Sequence, residues 1–529
     1  MSGIKEKRKK VGDVLKKKVN AISKDVPPGG WQVKARKDIV PERKYGFETA
    51  PEPIRTRDIR EAITADVVVV GAGLAGLSAV LSAAEAGART VLIEKTNTYQ
   101  ARGHHHAFID SKLQKKLGIE IDKDEVILNL IKHSANKADQ RLIRMWVEGT
   151  HKTADWLIDM ADAAGLGVSI FQYPPPPSYK NSDEYYPQYL VTHIFGDGAR
   201  SLAKCMTDNA VKKGVAIHFR TTAKQLLRKK NKRVTGLIAL DKAGDYIQYN
   251  ARKAVVLCTG DYAYNSEMMA KYCPQSAYLA SMLRTSTGDG HQMAMWIGAV
   301  MEPAPHAPII HGPAGPLSNS PFLQVNIKGE RFYNEDVPVQ SYVNAAERQP
   351  GQAVWQVFDS KYPEEAIHMG IGLGKVIEVT EDTRRHVEKQ SLIDDTVEGL
   401  AEKMKVPVEA FTATVARYNE LARMGKDLDF GKRPDRLTTI DKPPYYAGRG
   451  RYTLLVVNGG LNVNPRLQAL DKNWEPIPGL YLAGNTMGNR FAVDYPTMCP
   501  GLSHGMALHY GRVAGLNACS LEPWQPVVI

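Results

Sequence analysis

Residues 66–94 constrain this chain more than any other stretch. Asp66-Val67-Val68-Val69-Val70 runs directly into Gly71-Ala72-Gly73-Leu74-Ala75-Gly76. Four consecutive valines suit a strand buried on both faces of a parallel sheet. A small-residue helix is expected from about Leu74 to Ala86, and a second strand over Thr90-Val91-Leu92-Ile93, ending at Glu94. GxGxxG alone is a weak signal, but here strand, helix and terminal acid are all in register, as in a Rossmann-type βαβ unit. Gly71 permits the tight turn, Gly73 lets the backbone approach a pyrophosphate, and Gly76 lets helix and strand pack closely. The first helical turn, with Ala75, offers unpaired N–H groups to the phosphates. Glu94 stands where a carboxylate can accept hydrogen bonds from an adenosine ribose. The pattern predicts a dinucleotide site without choosing between FAD and NAD.

Two further buried strands are expected, Ala254-Val255-Val256-Leu257 before Thr259-Gly260, and Gly479-Leu480-Tyr481-Leu482-Ala483-Gly484. The sheet thus draws on both ends of the chain. The expected division is a leader over 1–60, a dinucleotide-binding part over 61–299, an inserted domain over 300–450, and the closing part of the first domain over 451–529. No second dinucleotide fold is visible, so NAD(P)H is not expected in a domain of its own.

Charge is uneven. Residues 1–50 hold 14 Lys+Arg against 6 Asp+Glu, a balance of +8 within a total of +12. Lys7-Arg8-Lys9-Lys10 and Lys16-Lys17-Lys18 are the densest runs. This leader reads either as a solvated, frayed terminus or as a docking arm for an anionic membrane surface or an acidic redox partner. No nucleic-acid module accompanies the charge. No apolar run approaches a membrane span and no h-region follows the Lys-rich start, which points to the cytoplasm. The five cysteines, Cys205, Cys258, Cys273, Cys499 and Cys519, form no CxxC pair, so neither a disulfide framework nor a metal cluster is expected. The run His104-His105-His106 cannot by itself close a metal shell, because neighbouring side chains diverge.

Other segments carry a family resemblance. Arg284-Thr-Ser-Thr-Gly288-Asp289-Gly290 resembles the TGDG stretch of the fumarate reductase/succinate dehydrogenase flavoprotein superfamily. Gly329-Glu-Arg331-Phe332-Tyr333-Asn334-Glu335 resembles its GxRFxNE signature, and the run from Gly479 through Pro500-Gly501-Leu502-Ser503 to Gly515 resembles its flavin-closing segment. Together these cover about residues 60–520. The resemblance implies an α/β fold: a Rossmann-type FAD-binding domain with an inserted α+β capping domain. It implies FAD held by Gly71, Gly73, Ala75, Gly76, Glu94 and Lys95, by Arg102, Gly103 and His104, by Thr259, Gly260 and Asp289, and by Gly484, Asn485, Gly501, Leu502 and Ser503. Succinate dehydrogenases tether FAD through a histidine upstream of an AxGG-like turn. Asn97 stands at that spacing before Gly103, so noncovalent FAD is expected.

The same resemblance argues against fumarate. The arginine acid of fumarate reductases lies eight residues beyond the Arg of GxRFxNE, which here is Val339. The histidine expected before a GG pair is absent ahead of Gly459-Gly460, where Leu454-Leu455-Val456-Val457-Asn458 stands. Arg490 is the nearest candidate for a second carboxylate-binding arginine. Asp494-Tyr495-Pro496-Thr-Met-Cys-Pro500-Gly501 instead resembles the YPGPG-like segment of 3-ketosteroid Δ1-dehydrogenases, with two more residues between Tyr495 and Gly501 than that pattern. There a tyrosine hydroxyl and a glycine N–H steady an enolate, roles that fall by register to Tyr495 and Gly501. Tyr342 and Tyr333 flank the lost arginine and are the candidate proton carriers. Five tyrosines, Tyr173, Tyr179, Tyr185, Tyr186 and Tyr189, crowd a Pro-rich loop and form either an aromatic wall or a decorated surface. His306 and His311 are either substrate neighbours or core histidines.

Three functions follow. The first is an FAD oxidoreductase acting on a C–C bond next to a carbonyl, with a steroid-like or polyphenol-like small-molecule substrate, in either direction and with an unidentified electron donor or acceptor. The second is a reductase of a small unsaturated acid, with Arg490 or Arg348 in place of the lost acid. The third is an electron-transfer flavoprotein subunit docked to a membrane or redox partner.

Overall fold

The computed structural model describes residues 44–171, 186–229, 232–312, 314–318, 320–369 and 379–520. The basic runs of the leader, Pro174–Pro177, Tyr173, Tyr179 and Tyr185 lie outside these residues. The body is the unit from Gly46 onward.

The valine run forms the end of β1 (Ile59–Val70), and Val67–Val70 are almost completely buried. The strand pairs in parallel with β2 (Thr90–Ile93) on one side and with Tyr246–Leu257 on the other. Branched residues on both faces of a parallel strand leave no surface for water, as the sequence required. Pro476–Leu482 adds in parallel to Tyr246–Leu257, so the C-terminal part of the chain closes the sheet begun by the N-terminal part. Strand order from edge to edge is Gln468–Leu470, Pro476–Leu482, Tyr246–Leu257, β1, β2, Ala216–His218. An antiparallel hairpin, Thr222–Arg228 and Val234–Leu240, pairs with the first half of Tyr246–Leu257. That added partner makes Tyr246–Leu257 longer than its four-residue apolar core.

Between the two strands runs α1 (Leu74–Glu85). The C-terminal helix Leu502–Cys519 lies against it. A Cβ on Gly511 or Gly515 would overlap the backbone of Ala75 or Ala79, and the Ser78 hydroxyl donates to the Leu508 carbonyl at 2.7 Å. The two helices meet backbone to backbone, which sets the N-terminus of the C-terminal helix beside the first turn of α1.

The inserted segment builds a four-stranded antiparallel sheet in the order Leu323–Asn326, Val354–Asp359, Tyr445–Arg449, Ser391–Asp394. Its own core includes Leu323, Val325, Phe411 and Tyr418. This is the α+β cap. Arg331 and Glu335 of the GxRFxNE stretch work inside it: the Arg331 guanidinium is paired with Glu335 and Asp427, each at 2.8 Å, in nearly complete burial. Two connections tie the cap to the larger domain. The strand Ala307–His311 pairs with Thr453–Asn458, and the helix Val339–Ala346 packs against the first of these. No helix among the described residues is long and apolar enough to cross a membrane.

Candidate active site

The ends of β1, β2 and Tyr246–Leu257 open onto one cleft. Twelve of the candidate cofactor residues line it: Gly71, Gly73, Ala75, Glu94, Lys95, Arg102, Thr259, Gly260, Asp289, Gly484, Asn485 and Ser503. Gly76 sits one layer below, where a Cβ would overlap the Gly71 carbonyl. Gly71 itself has φ +101°, open to glycine and few others. Gly103, His104, Gly501 and Leu502 do not line the cleft, and Gly103 and His104 are exposed.

Glu94 does more than the sequence foretold. Its Oε2 accepts the Ala72 N–H at 2.8 Å and its Oε1 the Thr96 N–H at 2.8 Å. It therefore staples the glycine turn to the end of β2 while still facing the cleft with unused lone pairs. The first turn of α1 receives no side-chain cap. Its N–H groups are left for a ligand, as an anion site at a helix N-terminus requires. Across the cleft, the Lys95 ammonium bonds Asp289 and Thr287, each at 2.8 Å. The glycine turn, the uncapped helix and the buried acid fit the pyrophosphate and ribose of a dinucleotide. Asn97 is exposed and off the cleft wall.

Ser503 and Asn485 of the cleft wall lead into a buried network that sequence reasoning did not assemble, whose other members, Asn458, Arg490 and Tyr495, do not themselves line the cleft. Ser503 is its hub: its hydroxyl donates to Asn458 Oδ1 at 3.0 Å, and its N–H donates to the Tyr495 hydroxyl at 3.0 Å. The Arg490 Nη2 donates to Asn485 Oδ1 at 3.2 Å. Arg490 is 1% exposed, and its Nε and Nη1 have no partner. No described carboxylate lies within ion-pair distance of it. Burial depresses the guanidinium pKa, offset in part by Tyr510, Glu302 and Tyr495. The Asn458 Nδ2 is likewise buried and unpartnered. Arg490 and Asn458 thus present hydrogen-bond donors without a matching acceptor, an arrangement suited to an oxygen-rich ligand. The residue preceding the glycine pair was the available signal, because Asn458 supplies an amide donor where a histidine was sought.

Glu302 braces this network. Its carboxylate accepts the Gly460 N–H at 3.0 Å and the Asn489 N–H at 2.8 Å, fixing the glycine pair to the turn before Arg490. Gly501 has left-handed geometry as the cap of the C-terminal helix, and its carbonyl accepts the Ala107 N–H at 3.2 Å.

The tyrosines divide. Tyr495 is buried beside the network, its phenol pushed up by burial. Tyr342 is buried in the cap helix with its hydroxyl unpartnered, pressed against Gly450 and edge-on to Tyr452. Burial pushes its phenol up too. Tyr333 stacks on Phe332 deeper in the cap. Neither Tyr342 nor Tyr333 lines the cleft. Val339 opens the cap helix and brings no proton. Tyr189 is committed to the core: it donates to Glu125 and accepts from Asn129.

His306 is 1% exposed, with Nδ1 on the Tyr262 hydroxyl at 2.6 Å and Nε2 on the Glu302 carbonyl at 3.1 Å. Its ring stacks on Tyr272. His306 is a satisfied core residue packed against Gly459. In the histidine run, His106 is buried with Nδ1 on the His193 carbonyl, and His105 lies against Phe171. Among the described residues no group of three His, Cys, Asp or Glu converges as a metal shell.

Residues 66–499 match the family described as FAD binding domain. The vinyl phenol reductase of Lactiplantibacillus plantarum is 29% identical over 499 residues, covering 88% of this chain and 98% of that protein. The fumarate reductase (cytochrome) of Shewanella frigidimarina is 27% identical over 473 residues, covering 86% of this chain and 77% of that protein. Among solved structures, the 3-ketosteroid-Δ4-(5α)-dehydrogenase of Rhodococcus jostii RHA1, in complex with 4-androstene-3,17-dione, aligns with a TM-score of 0.70 at 25% identity. That alignment covers 87% of this chain and 97% of that one.

Proposed function

The chain belongs to the FAD binding domain family, and from that premise we propose that this FAD-dependent oxidoreductase of CH–CH bonds reduces a carbon–carbon double bond conjugated to a carbonyl or carboxylate oxygen on a small planar molecule. The observation that carries this reading is Arg490, fully buried with two bare nitrogens and no described carboxylate to neutralise it. A buried guanidinium without a counter-ion is costly, and an oxygen-bearing substrate offsets that cost on arrival.

Bound FAD supplies two-electron chemistry at carbon. The protein's own residues do the rest. Arg490 and the Asn458 amide hold the substrate oxygen. The Tyr495 hydroxyl already accepts the Ser503 N–H, so its proton is free to point at the same oxygen and steady negative charge as it develops.

The relatives agree at the coarse level: a vinyl phenol reductase, a urocanate reductase, fumarate reductases and 3-oxosteroid 1-dehydrogenases. Within this range the bare guanidinium favours an unsaturated acid or phenol over a neutral steroid. The test is an anaerobic panel in which chemically reduced enzyme meets arylacrylic acids, vinyl phenols, fumarate and cyclic enones while flavin reoxidation is followed. Reoxidation by an acid or phenol is expected. Reoxidation by neutral enones alone would return the site to the steroid-like reading. Reoxidation by none of them would leave an electron-transfer role.

A further inference from the structure

The segment that carries Arg490 and Tyr495 is strained. Asn489 has φ +64° and Ala492 φ +95°. A non-glycine residue at such angles is disfavoured and persists when its surroundings over-determine it. Glu302 holds the upstream side, through the Asn489 N–H. On the downstream side Val493 is 41% exposed. The anchor there is Asp494.

Asp494 joins three elements. Its Oδ2 accepts from Asn344 Nδ2 of the cap helix at 2.9 Å and lies 3.7 Å from His133 Nε2, at the end of the helix Lys123–His133. Gln340 of the cap helix and the Tyr495 backbone face the same carboxylate, and Glu347 at the helix end adds negative charge nearby. The side chain is only 22% exposed, so these contacts form largely out of water. Burial raises the carboxyl above its usual range, with His133, Tyr495, Asn344 and Gln340 pulling it back; burial lowers His133.

We propose that Asp494 is a positioning residue: by clasping Asn344 and His133 it locks the cap helix onto the strained loop and holds Arg490 and Tyr495 where they meet the substrate oxygen. This rests on the proposed reduction of an oxygen-conjugated double bond. Asp494 need not touch substrate; it acts through the two residues on either side of the strained turn.

The experiment compares wild-type holoenzyme with Asp494→Asn, Asp494→Ala and Asn344→Ala in two measurements. The first is the pH profile of kcat/KM with an unsaturated acid or vinyl phenol that wild type reduces. Wild type should lose activity as Asp494 takes up a proton on the acid side. Asp494→Asn should be about tenfold slower near neutrality and lack that limb, and Asp494→Ala slower still. The second is hydrogen exchange without substrate. Asp494→Ala, or Asn344→Ala should the former fail to fold, should speed exchange in residues 339–346 and 489–495 at least tenfold, with the β1 and α1 amides unchanged. Wild-type exchange in both variants would overturn the clasp, and so would a pH profile in Asp494→Asn parallel to that of wild type. If wild type reduces neither an unsaturated acid nor a vinyl phenol, the functional reading fails, and the exchange data still decide the clasp.

Discussion

The Tyr495 hydroxyl accepts a 3.0 Å hydrogen bond from the Ser503 N–H, one of the first N–H groups of the helix Leu502–Cys519. One phenol thus caps a helix that abuts α1 and also stands beside Arg490. Tyr495→Phe is expected to lower kcat by about 10²–10³-fold, the usual effect of losing one oxyanion donor, with a smaller change in KM. It should also cost about 1–3 kcal/mol of stability, because a buried N–H loses its acceptor. Steady-state kinetics and urea unfolding read the two effects separately. Wild-type kcat in a destabilised variant would reduce Tyr495 to a helix cap.

Arg490 makes the opposite trade. Its charge is buried without a described partner, so the folded protein is stabilised little by it. Arg490→Leu should unfold at a temperature no lower than wild type, while kcat/KM for an acidic substrate falls at least about 10²-fold, the scale of losing a buried charge-assisted contact. A variant that melts much earlier would mean that the guanidinium is already neutralised within the protein.

The flavin half of the site was far more legible in the sequence than the substrate half. Strand, turn, helix and Glu94 are local, because each depends on residues within about thirty positions. The valine run, the glycine spacing and the terminal acid therefore located a cleft whose wall includes most of the expected residues. The donor network is not local. Glu302, Asn458, Arg490 and Ser503 come from four stretches that meet only when the cap insertion returns the chain to the sheet. Motif registers counted along the chain pointed to Tyr342 and Tyr333, but the cap turns their rings toward its own interior. His306 reads in sequence as either a substrate neighbour or a core histidine and is fully bonded in the fold, a choice made by Tyr262 and Tyr272 more than thirty residues away.

Glu94 combines a staple with a ligand site. Glu94→Ala should weaken FAD by about 1–3 kcal/mol, the scale of hydrogen bonds to a charged group. Because Ala72 and Thr96 lose their acceptor as well, the flavin-free protein should also melt earlier than flavin-free wild type. Unchanged FAD affinity with a lower melting point would leave only the staple.

Asn97 is exposed and cannot form the histidyl link of succinate dehydrogenases. Acid precipitation should release all flavin to the supernatant. A yellow pellet after washing would place a covalent bond elsewhere.

Acid stability tests the buried histidines. Burial lowers His193 and His509 to about 4 and His291 to about 3. His509 is held neutral by its surroundings: Nε2–H donates to the Met145 carbonyl at 3.1 Å, so Nδ1 accepts from the Thr153 hydroxyl at 2.9 Å. With folded values below the unfolded value of about 6.5, the unfolded chain binds more protons between about pH 6.5 and 4. Each such histidine therefore contributes stability that is present above about pH 7 and falls away as the pH drops through that window. Glu365, raised to about 7, and Glu347, raised to about 6, act in the opposite sense over part of the same range, since they bind protons more readily when folded. The melting curve of wild type alone mixes the two. The comparison that isolates the histidine is wild type against His509→Gln. The variant should be less stable at pH 7.5, where it loses packing and a hydrogen bond, and its deficit should shrink steadily down to about pH 4.5, where wild type must keep His509 neutral against a rising proton activity. A deficit that stays constant with pH would mean that folding does not shift the His509 pKa.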